Sequence, residues 1–162
     1  IISYLRAMKE TGVNGVIIAE PAAGLVSNED CSSFSSTYIT RIVEELQDDH
    51  FMIVLHNCGN TGHCTAAMIK TKAAGLHFGN KIDMVGVLQE CPEDILVMGN
   101  IDPVGIFKMA SPEKIKQETL SLLQKTSQWK NFILSSGCDV PPEVPMENIT
   151  AFYEALNEYN HQ

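Results

Sequence analysis

Short apolar runs alternate with helical stretches along the whole sequence, and this alternation restricts the possible folds. The predicted strands are residues 13–21, 52–57, 74–80, 94–103 and 131–141. Strands that are apolar on both faces are typical of parallel sheets covered by helices. The predicted helices are residues 1–11, 35–49, 61–73, 84–91, a segment capped by Ser111 that runs to about residue 124, and 145–159. The sequence therefore predicts an α/β protein with a parallel sheet.

Two parallel architectures fit this order: an open doubly wound sheet and part of a (β/α)8 TIM barrel. No glycine-rich phosphate-binding turn follows the first strand, which disfavours a nucleotide-binding doubly wound sheet. A whole barrel needs about 250 residues, whereas this chain has 162. We therefore expect a single domain at residues 1–162 that forms an incomplete barrel of about five C-terminal βα units. The sequence starts in what reads as the middle of a helix, so we expect an N-terminal part of a larger protein to precede it.

The charge balance excludes some function classes. The chain has 20 acidic and 11 basic residues, giving a net charge of −9, which disfavours nucleic acid as a partner. No apolar run approaches the roughly 20 residues of a membrane helix, and no secretion signal opens the sequence. We expect a cytoplasmic protein without a membrane partner. Its five cysteines are an odd number, which favours free thiols or metal ligands over a disulfide framework.

Polar residues cluster at the C-terminal ends of the predicted strands, where barrels build their active sites. They are Glu20, His56, Cys58, His77, Asn80, Asn100, Asp102 and residues 135–139. His56 and Cys58 follow the apolar run Met52–Leu55 and are two residues apart, so a strand would present both on one face. Imidazole and thiolate are suitable zinc ligands. A single histidine or cysteine at such a place is more often packed or solvated.

Two stretches resemble a known family. The segment "GNIDPVGIFKMASPEKIKQET" at 99–119 is similar to the corresponding part of the uroporphyrinogen decarboxylase superfamily, and "SSGCDVPPEVPMENITAFYEA" at 135–155 is similar to its C-terminal end. The His56-x-Cys58 pair, followed much later by Gly137-Cys138, resembles the methylcobamide:coenzyme M and related corrinoid methyltransferases of that superfamily. The resemblance covers essentially the whole chain and implies that His56, Cys58 and Cys138 hold zinc.

A methyltransferase of this kind needs an open position on its metal. Three protein ligands leave the fourth position of a tetrahedral zinc ion free, unlike a four-ligand structural site. Zinc deprotonates a bound thiol, and sulfur ligands suit alkyl transfer better than water activation. The resemblance thus implies a zinc enzyme that moves a methyl group from a methylated corrinoid protein to a small thiol such as coenzyme M.

Three further residues are candidates for contacting substrate. Glu20 is a candidate substrate partner or additional zinc ligand, and a solvated carboxylate is the alternative. His77 either faces the barrel mouth or packs in the core. Asn100 is a candidate too, although the pattern favours local hydrogen bonds in the loop for it and Asp102. We give His63 and Cys64 little weight as a second ligand pair, because they fall at a predicted helix start.

Two alternatives remain open. One is a metal-free decarboxylase acting on a porphyrinogen, although Arg6 and Arg41 are the only arginines and neither ends a predicted strand. The other is an inactive fragment, because half a barrel exposes two strand edges that must be covered. A homo-oligomer could cover these edges.

Overall fold

The computed structural model describes residues 1–161 and contains one sheet of five parallel strands. The strands are β1 (Gly15–Ala19), β2 (Met52–Asn57), β3 (Gly75–Phe78), β4 (Leu96–Ile101) and β5 (Phe132–Ser136). Their spatial order is their sequence order, and every neighbouring pair is parallel. A doubly wound sheet reverses its strand order, whereas a barrel adds each strand beside the previous one. The fold is therefore five units of a (β/α)8 barrel, as the sequence predicted.

Helices connect the strands, and most lie where the apolar spacing predicted them. They are α1 (Ile2–Glu10), α2 (Asn28–Cys31), α3 (Thr37–Leu46), α4 (Thr65–Ile69), α5 (Met84–Glu90), α6 (Pro112–Thr126) and α7 (Met146–Asn160). The Ser111 hydroxyl accepts a hydrogen bond from the Lys114 amide, which confirms the predicted cap of α6. No helix in residues 1–161 is long and apolar enough to cross a membrane.

Two helical predictions differ from the structure. The predicted helix at 35–49 begins earlier, because Ser27 caps α2 and a π-helical turn at Ser32–Ser36 joins α2 to α3. The predicted helix at 61–73 is shorter, because residues before Thr65 form a turn organised by Asn60. In both places polar side chains, rather than the apolar period, decide where the helix begins.

One face of the sheet forms the hydrophobic core with the helices. The strand register aligns Leu55 of β2 with Leu76 of β3 and Val97 of β4, and all three side chains are buried. Residues on α3 and α5, including Ile42 and Val87, pack in the same cluster. This layer of apolar side chains fixes the sheet against its helices.

The opposite face carries Val54, His56 and His77 and is only partly covered. Ile17 on β1 and Ile133 on β5 also lie on this face by register, and they are 64% and 38% exposed. In a closed barrel this face is the packed interior. The side chains on this face therefore correspond to those that fill the interior of a closed barrel.

Gly24 lies in a close contact that positions the turn after β2. It belongs to a 3₁₀ segment at Pro21–Leu25 that follows β1. A Cβ atom at Gly24 would lie 2.2 Å from the carbonyl carbon of Gly59 and 2.4 Å from the backbone nitrogen of Asn60. Both neighbours are backbone atoms and cannot rotate away, so only glycine fits without moving the turn.

We predict that Gly24→Ala lowers the free energy of unfolding by about 1–3 kcal/mol through overpacking. Urea denaturation followed by circular dichroism measures the change. Leu25→Ala in the same segment is the control, because Leu25 is 82% exposed and its truncation should change stability by less than about 0.5 kcal/mol. A Gly24→Ala protein with the wild-type midpoint would contradict the close contact.

Candidate metal centre

The carboxyl end of β2 carries the first two candidate ligands. His56 is the penultimate residue of β2, and Cys58 follows its last residue, Asn57. Alternation along β2 directs His56 to the open face, while Asn57 points to the helix side and is buried, and Cys58 begins the turn that follows. The Asn57 Oδ1 accepts hydrogen bonds from the Gly59 and Asn60 amides, each at 3.1 Å. The turn around Cys58 is therefore fixed by the residue before it.

The third candidate ligand, Cys138, comes from the loop after β5. The Gly137 amide donates to the Ile101 carbonyl oxygen at 2.7 Å, which continues the β4–β5 pairing beyond the last strand residue. A Cβ atom at Gly137 would lie 2.5 Å from the Asn80 backbone nitrogen, so the chain passes directly against the loop after β3. This close passage brings Cys138 towards β2 across the end of the sheet.

His56, Cys58 and Cys138 form one compact group. Their potential ligand atoms all lie within 4.8 Å of one another. His56 is buried, and both cysteines are half-buried. Glu20 is not a member of this group, which is the only one of its kind in the described part of the chain.

The two nitrogens of the His56 ring have different surroundings. Nδ1 lies 2.8 Å from Nδ1 of His77 and 3.2 Å from the His77 carbonyl oxygen. Nε2 is buried and has no hydrogen-bond partner among the described residues. A buried polar atom without a partner is unfavourable, and a metal ion bound there would satisfy it.

Both ring nitrogens of His77 contact other protein atoms. Besides its contact with His56, its Nε2 donates to the Ser136 carbonyl oxygen at 2.8 Å. The Ser136 hydroxyl in turn donates to the Cys138 carbonyl oxygen at 2.8 Å. His77 therefore connects the candidate ligand His56 with the Ser136 carbonyl oxygen.

Burial shifts the pKa values of His56 and Cys58. It lowers the pKa of His56, although the hydrogen bond to the His77 backbone and the charge of Asp139 oppose the shift. Burial and the neighbouring Cys138 raise the pKa of Cys58. Neutral imidazole is the form that binds metals, whereas the Cys58 thiol must release a proton on binding.

The chemistry of this group fits zinc. Two sulfur donors and one imidazole nitrogen are a ligand set that zinc accepts, and three protein ligands leave one tetrahedral position open. The unpartnered His56 Nε2 supports the same assignment, since it is the ring nitrogen that no described residue contacts by a hydrogen bond, whereas Nδ1 contacts His77.

The remaining sequence candidates lie outside the group. The Glu20 carboxylate accepts a hydrogen bond from the Ser35 hydroxyl and borders a cavity of about 330 Å³ that Cys31 and Phe34 also line. The Asn100 amide donates to the carbonyl oxygens of Gly79 and Ile82, at 3.1 and 2.8 Å. These bonds use both amide hydrogens of Asn100, in the loop-bracing role that the sequence favoured.

His63, Cys64 and Cys91 lie outside the group of candidate ligands. The His63 ring bonds to the Val26 carbonyl oxygen, and Cys64 is buried below the same loop, where burial and Cys31 raise its pKa to about 11. Burial raises the pKa of Cys91 to about 12.

Sequence reasoning missed the contact of His77 with His56 and Ser136. The only signal for it was that both histidines lie near the C-terminal ends of neighbouring predicted strands.

Comparison with known proteins gives the family. The family model for uroporphyrinogen decarboxylase (URO-D) matches residues 1–159. A methylcobamide:CoM methyltransferase MtbA from Methanosarcina acetivorans is 26% identical over 99% of this chain and 46% of its own length. A uroporphyrinogen decarboxylase from Hydrogenovibrio crunogenus is also 26% identical, over 98% of this chain and 45% of its own length.

A solved structure agrees with these sequence matches. It is that of a methyltransferase from Methanosarcina mazei, which superposes with a TM-score of 0.86 at 25% identity and covers 98% of this chain and 46% of the other. The chain thus spans about half the length of the relatives it matches. With the family model matching nearly every residue, the chain belongs to the uroporphyrinogen decarboxylase family.

Proposed function

We propose that this chain carries the metal site of a zinc-dependent methyltransferase, which moves a methyl group from a methylated corrinoid protein to a small thiol such as coenzyme M. The observation that carries the proposal is the group of His56, Cys58 and Cys138, with ligand atoms within 4.8 Å of one another and an unpartnered His56 Nε2. The similarity to the methylcobamide:CoM methyltransferases supports the same reaction.

The protein ligands contribute both charge and shape. Cys58 and Cys138, bound as thiolates, balance the two positive charges of a zinc ion, and His56 adds a neutral donor. A zinc ion held by these residues would supply Lewis-acid chemistry that lowers the pKa of a thiol in its open position. Two sulfur ligands leave such a thiolate more electron-rich than three imidazoles would, which favours attack on a methyl group.

Glu20 is our candidate for contacting the substrate or the corrinoid partner. It follows β1 at the same end of the sheet, and its amide donates to the His56 carbonyl oxygen at 2.9 Å. The cavity that it borders also has apolar lining from Ala22, Ala23 and Val26. A carboxylate at the edge of an apolar cavity can orient a polar group of a ligand while the cavity holds its apolar part.

Decarboxylation of a porphyrinogen is the second candidate, because several relatives are uroporphyrinogen decarboxylases. Such a substrate carries many carboxylates and requires cationic partners. Arg6 pairs with Glu45 between α1 and α3, and Arg41 lies on α3. Neither arginine lies at the carboxyl ends of the strands, so the arginines of this chain offer such a substrate no partner there. The proposed zinc ligands have no evident part in a metal-free reaction.

We predict about one zinc ion per chain in protein purified under reducing conditions, measured by mass spectrometry of the metal. Cys58→Ala and Cys138→Ala should each lose most of the zinc, because two protein ligands hold zinc weakly. Cys91→Ala is the matched control, since Cys91 is buried in the core away from the group and should leave the zinc content unchanged. Equal zinc in all three variants, or none in the wild type, would refute the site.

We also predict thiol-dependent demethylation of methylcobalamin, followed by its visible absorbance with coenzyme M as acceptor. Chelation should abolish the reaction and added zinc should restore it, and Cys138→Ala should remain at background. The parallel assay offers uroporphyrinogen to the same protein. Carbon dioxide release from uroporphyrinogen without zinc would favour the decarboxylase instead.

A further inference from the structure

We propose that His77 is a positioning residue that holds His56 in the tautomer with hydrogen on Nδ1, leaving the Nε2 lone pair free for the metal. This inference rests on the proposed zinc site. It assigns His77 a role different from the substrate contact that its place at a strand end suggested. The carbonyl oxygens of Ser136 and His77 fix the order of donors and acceptors along one chain of hydrogen bonds, which crosses the carboxyl end of the sheet.

The chain of hydrogen bonds begins at Ser136. A carbonyl oxygen can only accept, so the 2.8 Å contact between the Ser136 oxygen and His77 Nε2 requires a hydrogen on that nitrogen. In a neutral imidazole the other nitrogen then carries a lone pair. His77 Nδ1 is therefore an acceptor, and it faces His56 Nδ1 at 2.8 Å.

A second carbonyl oxygen determines the hydrogen-bonding role of His56, at the other end of this chain of hydrogen bonds. The His77 carbonyl oxygen lies 3.2 Å from His56 Nδ1 and also can only accept. His56 Nδ1 thus meets two acceptors, the carbonyl oxygen and the His77 ring nitrogen, and must carry the hydrogen itself. The hydrogen on His56 Nδ1 leaves Nε2 unprotonated, and Nε2 has no hydrogen-bond partner among residues 1–161.

The strand register makes this contact possible. His56 and His77 are direct partners in the β2–β3 pairing, so their side chains leave the sheet side by side on its open face. Their ring centroids are 4.5 Å apart, with an angle of 38° between the planes. Adjacent parallel strands are about 4.8 Å apart, and the two rings keep that spacing.

His77 also connects the two segments that carry the ligands. Its Nδ1 contacts the β2 ligand His56, and its Nε2 holds Ser136, whose hydroxyl bonds to the carbonyl oxygen of Cys138. One side chain on β3 therefore sets the orientation of one ligand and restrains the loop of another. Partners of this kind typically account for 10- to 100-fold in metal affinity.

The first test uses metal-free wild-type protein and needs no activity. Long-range ¹H–¹⁵N correlation of the imidazole groups reports which nitrogen of each ring is protonated. We expect His56 with hydrogen on Nδ1 and His77 with hydrogen on Nε2. Hydrogen on Nε2 of His56 would overturn the proposal, whether or not the protein binds zinc.

The second test compares zinc affinity, measured by competition with a chromophoric chelator, in three variants. His77→Phe removes both ring contacts and should raise the zinc Kd 10- to 100-fold. In His77→Asn the side-chain oxygen can replace Nδ1 as acceptor and should recover most of that loss. His50→Phe is the control at the opposite end of β2 and should bind zinc as the wild type does.

The outcomes separate this inference from the proposed function. If wild-type protein binds no zinc, the proposed function fails, and the metal-free tautomer still decides the role of His77. If His77→Phe binds zinc as tightly as wild type, the inference fails and the zinc site stands. His77→Asn and the wild-type spectrum also remain decisive if His77→Phe does not fold.

Discussion

The in-register pairing of parallel strands is the constraint on which the site depends. It places equivalent residues of β2 and β3 side by side, so that His56 and His77 leave the sheet together on the open face. The same pairing between β4 and β5 continues to Gly137 and delivers the next residue, Cys138, to the common end of the sheet. Hydrogen bonds between backbones, formed over the whole length of the strands, thus determine the distances among side chains that the chain separates widely.

Much of the fold could be predicted from the sequence, because its signals are local. Apolar runs identified all five strands, and Ser111 identified the start of α6. The alternation of side chains along the predicted strand paired His56 with Cys58, and their potential ligand atoms lie within 4.8 Å of each other. The resemblance to a known family supplied Cys138, which no local pattern could connect to a strand so distant in sequence.

The parts that the sequence did not predict depend on contacts between segments. The π-helical turn at Ser32–Ser36 and the early start at Ser27 have no apolar periodicity to reveal them. The role of His77 depends on strand register and on the Ser136 carbonyl oxygen, and backbone acceptors are common to every residue. Buried asparagines present the same difficulty: Asn148 on α7 donates to the Phe107 and Ala110 carbonyl oxygens, a pairing set only by tertiary packing.

The edge strands β1 and β5 each have a neighbouring strand on only one side within residues 1–161, and they run in the same direction. A twofold axis perpendicular to the sheet would pair β1 with its own copy in antiparallel fashion, which cannot continue a parallel barrel. A twofold axis along the barrel would pair β1 with β5 of the other copy, but it would create ten strands where this architecture has eight. Two identical copies of this sheet are therefore not equivalent to one eight-stranded barrel.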